Sequence, residues 1–98
     1  MTYIRLSLAR PRNGETAKHL EELFRQLAEL TSSEDGCLQS YLLRPHDDSG
    51  EIARIALYRD EKAAERAAAG ESVMALRSQL DLAIEPRSHQ ERAFFTID

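Results

Sequence analysis

The stretch that most limits the folds open to this chain runs from Glu51 to Arg59, Glu51-Ile52-Ala53-Arg54-Ile55-Ala56-Leu57-Tyr58-Arg59. Alternate side chains of a strand point to opposite faces, and here Ile55 and Leu57 oppose Ile52, Ala56 and Tyr58, so both faces carry apolar groups that need cover from water. The strand stops sharply. Asp60 can cap a helix, Glu61 to Ala69 has the propensity of one, and Gly70 ends it.

The rest of the chain falls into elements around that strand. Thr2 to Ala9 alternates, with Ile4, Leu6 and Leu8 on one side and Tyr3, Arg5 and Ser7 on the other, which predicts a first strand. Arg10-Pro11-Arg12-Asn13-Gly14 breaks it, since proline removes a ladder donor and Asn-Gly favours a turn. From about Glu15, the positions Ala17, Leu20, Leu23, Phe24, Leu27 and Leu30 form one helical stripe, with Glu21 and Arg25 four apart on the wet side. That helix is expected to stop within Thr31 to Gly36. Cys37 to Arg44 is a second strand, joined by the polar loop Pro45 to Gly50 to the third in an antiparallel hairpin. Ser72 can cap a further helix carrying Val73, Leu76 and Leu80, followed by a connector from Asp81 to Arg87 and a last strand from His89 to Ile97.

Strand, helix, strand, strand, helix pair, strand is the order of a ferredoxin-like α+β sandwich, βαββαβ, with helices on one face of a four-stranded antiparallel sheet. Helices then cover only one side. The other side is expected to associate with a second copy of the chain, sheet against sheet, because an exposed apolar sheet face is an association site.

Length and charge narrow the partners. The 98 residues suit one domain, 1–98, with a core small enough for a partner subunit to help. A net charge of -4 with interleaved acids and bases offers no basic stripe, so nucleic acid is not expected. Cys37 is the single cysteine, which rules out an internal disulfide and a Cys-x-x-Cys pair and fits a reducing, cytoplasmic setting. Arg5 interrupts the first apolar run, so neither a signal-peptide core nor a membrane span is expected.

In element order the chain resembles the antibiotic biosynthesis monooxygenase family, whose members pair into a dimeric α/β barrel. The resemblance rests on Gly14 before the first helix, Asp35-Gly36-Cys37 entering the second strand, and Leu57-Tyr58-Arg59-Asp60-Glu61-Lys62-Ala63-Ala64, where a strand ends in an aromatic and a capped helix follows with an alanine pair. The family's aromatic is usually Trp; here it is Tyr58. Many relatives carry histidines nine and fourteen residues beyond it, positions held here by Ala67 and Ser72. The haem-degrading branch relies on an asparagine, a tryptophan and an iron-binding histidine at places that fall on Ser7, Ala67 and Arg77, so neither haem nor any other cofactor is expected.

The resemblance implies oxidation of a small aromatic or quinol compound by molecular oxygen without a cofactor. The alternative is a catalytically silent dimer of the same fold that binds a small ligand. Such oxidation needs a dry pocket, a group to take a phenolic proton and a cation to steady the substrate anion. Arg54, Tyr58 and His89 are the catalytic candidates, His89 because imidazole titrates near neutrality. Arg5, Ser7, Tyr41 and Arg77 are candidates for binding the substrate. If the faces of Tyr3, Arg5 and Ser7 and of Arg54 and Tyr58 coincide, arginines, tyrosines and a hydroxyl converge; otherwise these arginines pair with partner glutamates in a dimer seam. Tyr41 can line the same cavity, and Met74 can fill its wall. His19 and His46 are expected to be solvated, no histidine pair has metal-ligand spacing, and Cys37 reads as a small buried hydrophobe. The alanines of the helix after Asp60 allow close approach to the sheet, which predicts a small pocket.

Overall fold

A computed structural model describes residues 1–13 and 17–97. Four strands, β1 (Tyr3–Ala9), β2 (Cys37–Leu43), β3 (Ile52–Tyr58) and β4 (Gln90–Phe95), form one antiparallel sheet in the order β2-β3-β1-β4. Three helices, α1 (Ala17–Ser32), α2 (Glu61–Ala68) and α3 (Glu71–Ala83), complete the ferredoxin-like α+β fold expected from the element order. Gly14 and the expected helix start at Glu15 lie outside the described residues.

Register decides which side chains meet. Tyr3 pairs with Tyr58, Arg5 with Ala56 and Ser7 with Arg54, so the polar face of β1 and the Arg54–Tyr58 face of β3 are the same face. Helices cover it: Tyr3, Ser7, Ala9, Arg54, Ala56 and Tyr58 are all buried. Ile4, Leu6, Leu8, Ile55 and Leu57 face the other way and are half-buried. This is the double-sided apolar pattern of β3 made physical.

The core beneath the helices has two parts. Leu20, Leu23, Phe24 and Leu27 of α1 pack with Val73, Leu76, Leu80, Ala83 and Ile84, while Ala63, Ala64 and Ala67 of α2 pack with Tyr3, Ala56 and Tyr58. Asp60 caps α2 as expected, its carboxylate accepting the Ala63 N–H at 2.8 Å. The chain entering β2 runs close to this helix. Gly36 has φ +93, and a Cβ built on it would lie 2.6 Å from the Ala63 Cβ, so both the left-handed backbone and the contact require glycine.

Several local expectations need correction. Gly70, not Ser72, caps α3, with no side-chain cap bond; the Met74 N–H closes the first turn onto the Gly70 carbonyl at 3.0 Å. The connector starts later than Asp81, because α3 continues to Ala83. Ala83 and Ile84 are buried, and the Arg12 and Glu85 amides donate to the Ala83 and Arg10 carbonyls at 2.9 and 2.8 Å, so packing and backbone pairing prolong the helix. Leu30 ends the α1 stripe 38% exposed, and Met74 is 59% exposed and fills no wall. Glu21 pairs with Arg44 at 3.0 Å instead of Arg25, which lies 3.7 Å from Glu22.

Candidate active site beneath the helices

Three strands lay a row of polar side chains across the covered face. Ser7 is opposite Arg54 on one side and Glu91 on the other, so Arg54, Ser7 and Glu91 stand abreast on β3, β1 and β4. Cross-strand neighbours on one face lie ~5 Å apart, which brings the three groups into one small region.

Arg54 occupies the deep end of the row, 4% exposed. Its Nη1 donates to Thr31 Oγ1 at 3.0 Å, and that hydroxyl donates in turn to the Leu27 carbonyl at 2.9 Å, which anchors the guanidinium beneath the last turns of α1. Its Nε is buried and reaches no acceptor among the described residues, and no carboxylate among them pairs with it. A charge in low dielectric without a counter-ion is costly to the fold, and for the same reason it projects a strong positive potential toward any neighbouring space.

A cavity of about 90 Å³ lies over Ser7, walled by Phe24, Leu27 and Leu80, with Glu91, Arg77, Asp81 and His89 also lining it. Arg77 Nη2 donates to Glu91 Oε1 at 2.8 Å across the gap between α3 and β4, and the buried Arg77 Nε has no acceptor among the described residues. His89 Nε2 is 3.8 Å from the same Glu91 oxygen. His89 lies just before β4, not within a strand. Its place is fixed by Ser88, whose buried hydroxyl donates to the Glu85 carbonyl at 2.7 Å and accepts the Arg10 N–H at 3.2 Å.

The structure therefore gathers Ser7, Arg77 and His89 around one cavity, with Arg54 adjacent through its pairing with Ser7. Tyr58 shares the face but is enclosed by the alanines of α2. Arg5 also shares it, half-buried, with its guanidinium 5.7 Å from the Tyr3 ring centroid. Tyr41 is not on this face. It pairs with Ile55, is 49% exposed and donates its hydroxyl to the Gln39 side chain. A bulge between Cys37 and Gln39 reverses the alternation of β2, so Tyr41 points away from the face that Cys37 shares with Tyr58. Glu91 is the lining residue that the sequence reading missed; its parity with Ala93 and Phe95 on the last strand was the available signal.

The alanine helix sits tight on the sheet and lines no part of the cavity. Of the two positions where many relatives carry histidine, Ala67 is buried against that helix's cluster and Ser72 is exposed. Cys37 is half-buried, and burial pushes its thiol pKa up, an effect opposed in part by the Arg54 charge. Among the described residues, no three His, Cys, Asp or Glu side chains group as a metal site would need, and no helix is long and apolar enough to cross a membrane. A larger, open trough of about 610 Å³ at the N-terminal end of α1 is lined by such groups as Lys18, Arg44 and Asp47; none of the candidate residues reaches it.

The topology and helix-covered face define a ferredoxin-like α+β protein. The family model for antibiotic biosynthesis monooxygenases matches residues 4–78, and the chain belongs to that family. Rv0793 from Mycobacterium tuberculosis superposes with a TM-score of 0.88 at 19% identity, covering 100% of this chain and 97% of that one. SnoaB, a cofactor-independent oxygenase from Streptomyces nogalater, superposes with a TM-score of 0.84 at 18% identity, covering 99% and 94%. At such identities the likeness establishes the shared fold. A comparison with curated proteins by sequence finds no match.

Proposed function

We propose that the chain is a cofactor-independent monooxygenase acting on a small aromatic or quinol compound. The observation that carries this reading is a cavity over Ser7 walled by Phe24, Leu27 and Leu80, whose strand neighbour Arg54 is buried and unpaired with any described carboxylate. An aromatic ring fits such a wall, and a phenolate beside Ser7 would supply the negative charge that Arg54 lacks. His89, at the cavity lining, takes the phenolic proton. The ring then supplies all four electrons that reduce O2: one oxygen atom enters the ring and the other leaves as water. The chain's own part is to exclude water, orient the ring and hold its anion.

The cavity volume favours one ring. About 90 Å³ is below the ~150 Å³ of an apolar cavity that takes benzene, so even a single ring requires side chains at the rim to move. Oxygen uptake with anthrone, quinol and flavin-derived phenols tests the reading: uptake with a quinol, abolished by Arg54→Ala or His89→Gln, supports it.

The alternative, a catalytically silent protein that binds a small ligand, is favoured by Ala67 and Ser72 standing where many relatives carry histidines. Tight binding of an unreacted aromatic with no uptake across the panel would establish it. Either reading includes a homodimer. A second copy would cover Ile4, Leu6, Leu8, Ile55 and Leu57, which lie on the face opposite the helix-covered one. Sedimentation as a stable monomer at micromolar concentration would contradict that assembly.

A further inference from the structure

We propose that Glu91 is a specificity-determining residue that occupies the place of a substrate's acidic group on Arg77, so that the cavity selects a single-ring phenol carrying a carboxylate. The inference rests on the ligand site proposed above and adds to it the class of ligand.

The rim of the cavity is where it can open. Phe24, Leu27 and Leu80 are buried, and Ser7 lies on the sheet floor, so none of them can leave without disturbing the core. Arg77 and Glu91 are different: their side chains retain 37% and 42% of their exposure, and they bridge α3 and β4 by one contact at 2.8 Å. Exposed ion pairs of this kind hold weakly. A ring needs more room than the cavity's volume of about 90 Å³, and parting this pair is the rim movement that supplies it.

What the ring carries then decides the outcome. A neutral ring leaves the Arg77 guanidinium without its carboxylate. An anionic ring replaces that carboxylate, and it can do more than Glu91 does. Glu91 engages only Nη2, while the buried Nε of Arg77 has no acceptor among the described residues. A carboxylate placed inside the cavity can take Nε and Nη2 together in the side-on bidentate geometry that arginine favours. The two cations thus divide the ligand. Arg54, beside Ser7, draws the phenolic oxygen, and Arg77, at the rim, draws the acid. Asp81 and Glu91, which also line the cavity, oppose an acid until Glu91 has swung out. Their presence makes the selection a competition between two carboxylates for one guanidinium.

Calorimetric titration of the full chain with 4-hydroxybenzoate and with its neutral amide, 4-hydroxybenzamide, tests this without requiring turnover. Glu91→Gln removes the competitor and is expected to tighten 4-hydroxybenzoate about fivefold while leaving the amide within about twofold. Arg77→Gln is expected to weaken the acid about tenfold, with part of the affinity restored in Arg77→Lys. Since the pair lies at the surface, these variants keep the core intact. An acid-to-amide ratio that Glu91→Gln leaves unchanged would overturn the inference, as would failure of both probes to bind the wild-type chain. The two readings separate cleanly: acid selectivity without oxygen uptake sinks the oxidation alone, and uptake with neutral quinols without acid selectivity sinks this inference alone.

Discussion

The covered face of the sheet is packed in two different ways at its two ends. Beneath α2, the alanines pack directly on Tyr3, Ala56 and Tyr58; beneath α1 and α3, leucines and Phe24 fill the space to the sheet and a cavity remains over Ser7. Small side chains bring backbones together and leave little space. Large ones fill most of a wider gap but cannot fill it evenly, and the residual space falls beside the polar row. The lesson is that the location of the site follows from side-chain size on the helices as much as from the polar residues on the strands.

The contrast can be broken most severely from the large-residue end. Phe24→Ala removes a ring that is 1% exposed and is expected to cost ~3–5 kcal/mol in urea denaturation, while enlarging the cavity enough to admit a neutral ring. Loss of stability without any gain in ring binding would show that the cavity closes by collapse. At the small-residue end the opposite change is diagnostic. Ala64→Val adds two methyl groups where exposure is 1% and is expected to cost ~1–3 kcal/mol through overpacking. A stability unchanged by this substitution would show hidden room under α2.

The smallest effect belongs to Cys37, where the tight end meets β2. Its thiol pKa is raised in the folded chain, so the native state retains a proton that the unfolded chain has released once pH passes the ordinary thiol value. Stability from this group is therefore whole below that value and declines as pH rises through it toward the higher folded value. Alkylation of Cys37 by iodoacetamide is expected to lag that of a free thiol until more alkaline pH. A normal or accelerated rate would mean that the Arg54 charge outweighs burial.

The sequence made some of this legible and left some hidden, for physical reasons. The alternation of β1 and the stripe of α1 survive because each reports a single face against one core. Asp60 was readable because its cap is local, made with Ala63 three residues on. Ser72 was misleading because capping propensity favours serine over glycine, while the backbone at Gly70 already has the extended conformation a cap requires. The end of α3 was hidden because the connector was expected from Asp81, whereas burial of Ala83 and Ile84 settles it by tertiary contact. Tyr41 was expected to line the cavity from the second strand, and the bulge two to four residues before it turns it to the other face. The convergence of Ser7, Arg77 and His89 depends on three segments remote in sequence, and only the register brings them together.

Gly36 carries one consequence for how this chain can vary. Any L side chain there meets two obstacles, the backbone hand at φ +93 and the Ala63 methyl at 2.6 Å. Trimming Ala63 to glycine would lift only the second, while weakening α2 by ~1 kcal/mol. The two positions are therefore epistatic in one direction only: enlarging residue 63 is conditional on what stands at 36, but no change at 63 licenses a substitution at 36. Random mutagenesis with selection for folding should accordingly recover neighbours of this pair far more often than replacements of Gly36 itself.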